Sequence, residues 1–469
     1  MVTVKCSYTV FPSQPTPKGP FCLSDCDQMA PWTHVPTICI YKLKHNHNYN
    51  IDDFVERMRE SLSKILVYYY PLAGRVRRIE GGRLELDCNE MGVTFLQAES
   101  PKSLDEYGNF EPNHTIAELL PKVDYSKPVE ETPLLLAQLT RFSLGGISLG
   151  LAVNHIIVDG SSFFHFVNSW AKLARGETLK EEEMPFLDRT IIKSPNLVAT
   201  PRFDHKSYEF KPLPLILGSS DNIAERKKDT SVALLPLTRD QVLKIKNKAN
   251  EENTVSSSVC ATRPYSRYEA IAAHIWRTGA KSRKHDEHQP TVVRFIGDIR
   301  NKLKPSLPRN YFGNALLRTV TPMCTSGEII SNPLCYAAQK IQEAIDKLTD
   351  EYMRSQLDFL ASQENVDWLR GGFHIVGGLN GLFYGNPNFN IVSWLSMPMY
   401  DADFGWGKPL YMGPGSLNED GKTFIMPSPS GDGSAIVALR LQTTHMEAFQ
   451  RFFYEDISIE SSHIIKSNL

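Results

Sequence analysis

Apolar positions along the chain follow two spacings. Between Asp52 and Tyr70, residues Phe54, Val55, Met58, Leu62, Ile65 and Leu66 recur at helical intervals. The run opens on two aspartates and stops at Pro71, which predicts an amphipathic helix with one face in a core. From Leu149 to Ile157 the order Leu149, Leu151, Val153, His155, Ile157 steps by two, the period of a strand, and places His155 near its end. Asp159-Gly160-Ser161 interrupts the alternation. Phe163, Phe164, Val167, Trp170 and Leu173 then restore the helical spacing as far as Gly176. Strand, tight turn and helix are expected here.

Periodicity collapses between Gly176 and Asp229, where Pro recurs at 185, 195, 201, 212 and 214 and charge clusters in Lys180-Glu-Glu-Glu183 and Glu225-Arg-Lys-Lys228. This stretch reads as a linker. Beyond it, Ser231 to Leu237 is strand-like, Arg239 to about Asn250 is helical, and Thr291–Ile299 and Asn390–Met397 read as strands. Ser266-Arg-Tyr-Glu269 has capping-box spacing ahead of a helical run to Arg277. Alternating strands and helices without a fixed repeat favour an α/β or α+β layered fold. The expected division is a first domain over residues 1–180, a crossover over 181–229 and a second domain over 230–469.

Composition narrows the function classes. Of the 469 residues, 41% are hydrophobic and 22% charged, an ordinary globular balance. Fifty-one Lys plus Arg against 53 Asp plus Glu leave a net charge of −2, unlike a surface built to neutralise nucleic acid or an anionic membrane. The eight cysteines show no CxxC pair, so neither a zinc site nor a disulfide framework is expected. The amino terminus lacks a signal-like apolar run, and the uncharged stretch Phe142–Asn154 is far short of the roughly 20 residues of a membrane span. A cytoplasmic, monomeric protein is the expectation.

Two motifs with catalytic echoes fail on context. Gly146-Ile-Ser148-Leu-Gly150 fits a nucleophile elbow, but LAVNHIIV continues as strand where a hydrolase needs a helix. Asp403-Phe-Gly405 matches a kinase triplet, yet no phosphate loop accompanies it. His155-Ile-Ile-Val-Asp159-Gly160 is the stronger candidate. A histidine near its ordinary pKa of ~6.5 can take a proton from a hydroxyl or amine as that group attacks a carbonyl, without a covalent intermediate. A core histidine bonded to backbone is the competing reading, and Asp159 equally reads as a turn residue or helix cap.

Asp403-Phe-Gly-Trp-Gly407 offers turn glycines and two aromatic anchors, locally a structural loop. Together with the upstream His-x-x-x-Asp it makes the chain resemble the BAHD family of plant coenzyme-A-dependent acyltransferases. Tyr70-Pro-Leu-Ala-Gly-Arg75, Pro185-Phe-Leu-Asp-Arg189, Tyr311-Phe-Gly-Asn314 and Met412-Gly-Pro414 extend the resemblance over nearly the whole chain. It implies two domains like chloramphenicol acetyltransferase with a channel between them, acyl-coenzyme A as co-substrate, no bound metal and His155 as general base. It further implies that Asp159 pairs with Arg300, that Asp403, Gly405, Trp406 and Gly407 support the fold, and that the Trp394 indole donates to the oxyanion; a merely packed Trp394 is the competing reading. For coenzyme A, the helix start at Ser266 with Arg263 and Arg267 is expected to meet phosphate, although a simple capped helix fits equally.

Acceptor choice also follows from the resemblance. Shikimate-using members carry an Arg 15 residues before the indole; here that position is Leu379. The blocks Ser7-Tyr-Thr-Val, Thr33-His-Val-Pro-Thr37 and Phe383-Tyr-Gly-Asn-Pro-Asn388 are similar to members that transfer hydroxycinnamoyl groups to spermidine. A hydroxycinnamoyl-coenzyme A and polyamine pair is therefore expected, with His34 and Thr37 as channel contacts and Asp401 as a carboxylate for ammonium. The alternatives are a shikimate- or quinate-type alcohol acceptor and a catalytically silent ligand-binding relative.

Overall fold

The computed structural model describes residues 1–43, 51–193, 200–255, 263–370 and 383–458. Strands β1 (Thr3–Val10), β2 (His34–Lys42), β3 (Val93–Glu99), β4 (Leu135–Arg141) and β5 (Gly146–Asn154) precede the crossover. After it come β6 (Thr230–Leu237), β7 (Val293–Asp298), β8 (Leu316–Val320), β9 (Phe389–Ser393), β10 (Tyr411–Pro414), β11 (Lys422–Pro427) and β12 (Ala435–Gln442). They build two six-stranded sheets, ordered β1-β3-β4-β5-β2-β10 and β8-β7-β9-β11-β12-β6.

Each sheet is covered by helices; the sequence anticipated the runs at 52–70, 163–175, 239–250 and 266–277, but not those at 334–346 and 443–458. Helices α1 (Ile51–Tyr68) and α2 (Gly160–Ala174) pack on the first sheet, burying Met58, Leu62, Ile65, Phe164, Val167 and Trp170 in one core. Helix α1 ends just before a 3-10 turn, Tyr70–Ala73, begun by Pro71. Helices α3 (Arg239–Val255), α4 (Arg267–Arg283), α5 (Leu334–Asp346) and α6 (Thr443–Ser458) lie on the second sheet, with Ile271, Trp276, Ile341, Phe449 and Phe453 in a second core. The capping box at Ser266 forms and opens α4. Among the described residues, no helix is long and apolar enough to cross a membrane.

Three departures from the sequence reading bear on the site. β5 ends at Asn154, so His155 stands in the turn beyond the strand. The alternation ran on because Ile156, Ile157 and Val158 are all buried whatever their parity. β5 also begins at Gly146, which puts Ser148 in mid-strand, paired with Ile40 and Thr140 rather than on an elbow. Finally, the halves exchange segments: β10 pairs with β2 in the first sheet, and the crossover's Phe186 bridges Tyr311 of the second half. Residues 181–229 therefore include docked structure rather than only a tether.

Candidate active site

The turn after β5 is fixed at almost every residue. Asn154 Nδ2 donates to the Trp32 carbonyl (2.7 Å) while its Oδ1 accepts from Ile156 N–H (3.1 Å). His155 N–H donates to the Thr33 carbonyl at 3.1 Å. Asn314 Nδ2 donates to the carbonyls of His155 (2.8 Å) and Ile156 (3.2 Å), and Arg189 Nη2 to that of Ile157 (2.8 Å). Arg189 is itself buried against Asp27, 3.0 Å away. Backbone groups that would otherwise be unsatisfied inside the protein are thus paired, and the imidazole inherits a fixed position.

Asp159 closes the turn by capping α2, accepting from Ser162 N–H at 3.0 Å. Its two oxygens also accept a fork from Arg300, Nη1 at 2.8 Å and Nη2 at 2.9 Å, and Ala315 N–H reaches Oδ2 at 3.0 Å. Burial opposes ionisation here, but Arg300 and the N–H donors outweigh it and hold the carboxyl below the ordinary range. Asp159 is saturated by these partners and makes no hydrogen bond with the imidazole.

His155 borders a cavity of about 360 Å³ between the two sheets. Among the described residues, its buried Nδ1 has no partner of hydrogen-bond geometry, leaving Nε2 as the nitrogen open to the cavity. Burial lowers the ring's pKa; its own carbonyl, Asp159 and Asn314 pull upward and Lys422 adds to the lowering. The ring is neutral at neutral pH. Trp394, just past β9, lines the same cavity, its indole packed on Phe164 and Phe424. A methyl added at Gly160 would stand 3.5 Å from Trp394 Nε1, so the N–H lies beside the start of α2, next to Asp159. Among the described residues that N–H has no hydrogen-bond acceptor.

The second sheet forms the cavity's other wall, and this wall carries charge. Arg294 on β7, Arg318 on β8 and Lys422 on β11 line it, with Glu419 beside them. Burial, with Arg294 near by, pulls Arg318 down to about 9. Burial also lowers Lys422, opposed by Glu419 and aided by Arg294. Glu419 is raised by burial against the pull of Lys422, Arg226 and Arg294. Sequence reading missed all three cations. The available signal was an Arg inside otherwise apolar strands, Thr-Val-Val-Arg294-Phe-Ile and Ala-Leu-Leu-Arg318-Thr-Val.

Other expected residues lie differently. Thr37 on β2 lines the cavity. His34 does too, but both ring nitrogens are engaged: Nε2 donates to the Pro133 carbonyl at 2.7 Å and Nδ1 accepts from the Tyr125 hydroxyl at 3.1 Å, with burial lowering the ring to about 4. It offers a substrate no polar atom. Asp401 is corrected: it sits in a surface 3-10 turn facing Lys408 at 3.6 Å, away from the cavity. Arg263 is also committed, forked on Glu269 (3.0 and 2.7 Å) and reaching Asp346 (3.1 Å), while Ser266 Oγ accepts from Glu269 N–H and Arg267 reaches the Gly433 carbonyl at 3.4 Å. The α4 start is thus a filled cap, outside the cavity lining. Leu379 lies outside the described residues.

The Asp403 loop is remote from the cavity. Asp403 Oδ1 accepts from Gly405 N–H (2.7 Å) and Gly407 N–H (2.9 Å), both glycines at positive φ, where a side chain would be strained. Phe404 and Trp406 pack with Tyr41, and Trp406 also meets Phe54, which clips the loop to the first core. Among the described residues, no three His, Cys, Asp or Glu side chains converge as metal ligands.

Comparison with known proteins agrees with this layout. A family model described as the transferase family matches residues 1–456. A hydroxycinnamoyl-CoA:piscidic acid hydroxycinnamoyltransferase from Actaea racemosa is 46% identical, covering 97% of this chain and 100% of the relative. A shikimate O-hydroxycinnamoyltransferase from Nicotiana tabacum is 39% identical (97% and 99% covered), and a hydroxycinnamoyl-CoA:5-hydroxyanthranilate N-hydroxycinnamoyltransferase from Avena sativa 36% (96% and 98%). Among solved structures, vinorine synthase superposes with a TM-score of 0.71 at 21% identity, covering 96% of each chain; F. graminearum TRI101 complexed with coenzyme A and T-2 mycotoxin gives 0.73 at 18%, covering 91% of this chain and 96% of its own. The chain belongs to this transferase family, the BAHD acyltransferases, whose co-substrate is a coenzyme A thioester.

Proposed function

We propose that the protein transfers a hydroxycinnamoyl group from its coenzyme A thioester to the hydroxyl of a small carboxylate-bearing acceptor. The observation that carries this reading is the charge of the cavity. Asp159 and Asp298 both face Arg300, at 2.8 and 3.3 Å. That leaves Arg294, Arg318 and Lys422 on the wall beside Glu419, and among the described residues none of the three has a carboxylate within 4 Å. A polyamine would add cations to a poorly screened cationic wall, whereas an acid relieves it. The acceptors named for the three relatives above are likewise acids, and the hydroxycinnamoyl donor is common to their names. The spermidine acceptor expected from sequence is the alternative reading, and none of the three relatives' names carries a polyamine.

In the proposed mechanism the acceptor oxygen attacks the thioester carbonyl while His155 Nε2 takes its proton; Nδ1 keeps its hydrogen, turned toward the residue's own carbonyl. The Trp394 N–H donates to the tetrahedral oxyanion. Collapse forms the ester and expels the coenzyme A sulfur, which recovers the proton from His155. Asp159 and Arg300 position the turn without touching the reacting atoms. Asp403, Gly405, Trp406 and Gly407 hold the fold.

Incubating purified protein with p-coumaroyl-coenzyme A and 3-phenyllactate, a hydroxy acid, should yield the ester by mass and stoichiometric free coenzyme A. His155→Ala should lower kcat/KM on the order of 10³-fold at unchanged melting temperature. Thioester binding with no turnover, and no effect of the substitution, would instead support a silent ligand-binding relative.

A further inference from the structure

The cations of the cavity wall stand in register. Arg294 pairs with Asn390 across β7 and β9, and Asn390 pairs with Lys422 across β9 and β11. The three residues form one lateral row on adjacent parallel strands, and all three line the cavity. Strands about 4.8 Å apart put the outer Cα atoms roughly 10 Å from each other. Arg318 lies one strand further, paired with Ile296, two residues along from Arg294. Beyond the row toward His155 the same face turns apolar, with Ile296, Val392 and Phe424.

The row is built but unsatisfied. Arg294 is 5% exposed and, among the described residues, its Nε has no hydrogen-bond partner. Arg294 stacks its guanidinium 4.1 Å above the Tyr384 ring, which fixes the plane without consuming a donor. Among the described residues, Lys422 Nζ reaches only the face of Phe424, 5.3 Å away. No carboxylate lies within 4 Å of any of the three cations among the described residues. Buried charges left in this state cost stability unless a ligand completes them.

We propose that Arg294, Asn390 and Lys422, with Arg318 adjoining, form a receptor for two carboxylates of the acceptor, so that the substrate is a hydroxy dicarboxylic acid. This rests on the acid-acceptor reading above and specifies it. Arg294 and Lys422 each lack a carboxylate partner within 4 Å among the described residues, so each can take one carboxylate, and the spacing along the row suits two groups on neighbouring carbons reached by long Arg and Lys side chains. Arg294 offers a planar fork to one carboxylate and Lys422 a point charge to the other. The apolar residues between the row and His155 suit an unsubstituted hydrocarbon part of the acceptor. Coenzyme A phosphates share the same chemistry, and the test separates the two sources.

With p-coumaroyl-coenzyme A as donor, 3-phenylmalate, 3-phenyllactate and 1-phenylpropan-2-ol present a secondary hydroxyl on one skeleton with two, one and no carboxylates. Wild-type kcat/KM should fall about tenfold or more at each removal. Arg294→Met and, separately, Lys422→Met should raise KM for 3-phenylmalate about tenfold while kcat stays within roughly threefold and KM for the thioester within about twofold. Lys422 is half-buried, so its variant carries the test if Arg294→Met fails to fold. Equal kcat/KM for 3-phenylmalate and 3-phenyllactate would overturn the two-carboxylate receptor while leaving the acid acceptor intact. A rise in thioester KM instead would assign the row to phosphate and overturn it as well. Turnover of the neutral alcohol alone would sink both readings.

Discussion

Two buried arginines on the second half, Arg294 in the cavity wall and Arg300 behind its lining residues Asp159 and Asp298, are treated in opposite ways. Arg300 is forked on Asp159, hydrogen-bonded to Ser162 Oγ (3.0 Å) and the Gly313 carbonyl (3.1 Å), and flanked by Asp298. Arg294 has an aromatic ring beneath it and an unpaired Nε. A charge whose partners are complete holds a scaffold; a charge without partners awaits a ligand. The first joins the two halves behind His155, and the second gives the acceptor something to bind.

The sharpest way to break this contrast is to remove each cation in turn. Arg300→Met leaves Asp159 buried without its cation, and should cost about 3–5 kcal/mol in urea unfolding. Arg294→Met deletes an uncompensated charge and should leave stability unchanged or higher. Similar losses for both would erase the distinction. Next in size, Trp394→Phe keeps the packing on Phe164 and Phe424 but removes the N–H, and kcat should drop on the order of 10²-fold with little change in KM. Asp403→Ala unpairs the Gly405 and Gly407 N–H groups at the protein surface and should cost about 1 kcal/mol while leaving both KM values alone.

The smallest expected effect is in pH dependence. His155 acts only when neutral, and burial and Lys422 lower its pKa below the usual 6.5. The acid limb of kcat/KM should therefore lie below that value, activity falling as pH drops through it. Lys422→Met removes one cause of the lowering, so the limb should move to higher pH. A shift to lower pH would mean that Lys422 does not act on the imidazole.

How much of this was legible in the sequence follows from how local each feature is. The helices α1, α2 and α4 announced themselves through apolar spacing and caps because those signals lie within a single turn or two. His155 and Asp159 were legible because strand end, turn and helix cap are consecutive, although buried Ile156 to Val158 disguised where β5 stops. The cationic row was not legible. Arg294, Asn390 and Lys422 come from three strands far apart in sequence, and only the sheet register aligns them. Asp401 misled for the converse reason: its position next to the Asp403 motif says nothing of which way its carboxylate faces, and it faces Lys408 at the surface.

The central claim is that the unpaired cations of the cavity's second wall select an acid for the base at His155. One reaction vessel tests it most directly: p-coumaroyl-coenzyme A with equimolar 3-phenyllactate and spermidine, products resolved by mass. The account predicts ester with amide below about a tenth of product; predominance of the spermidine amide would contradict it.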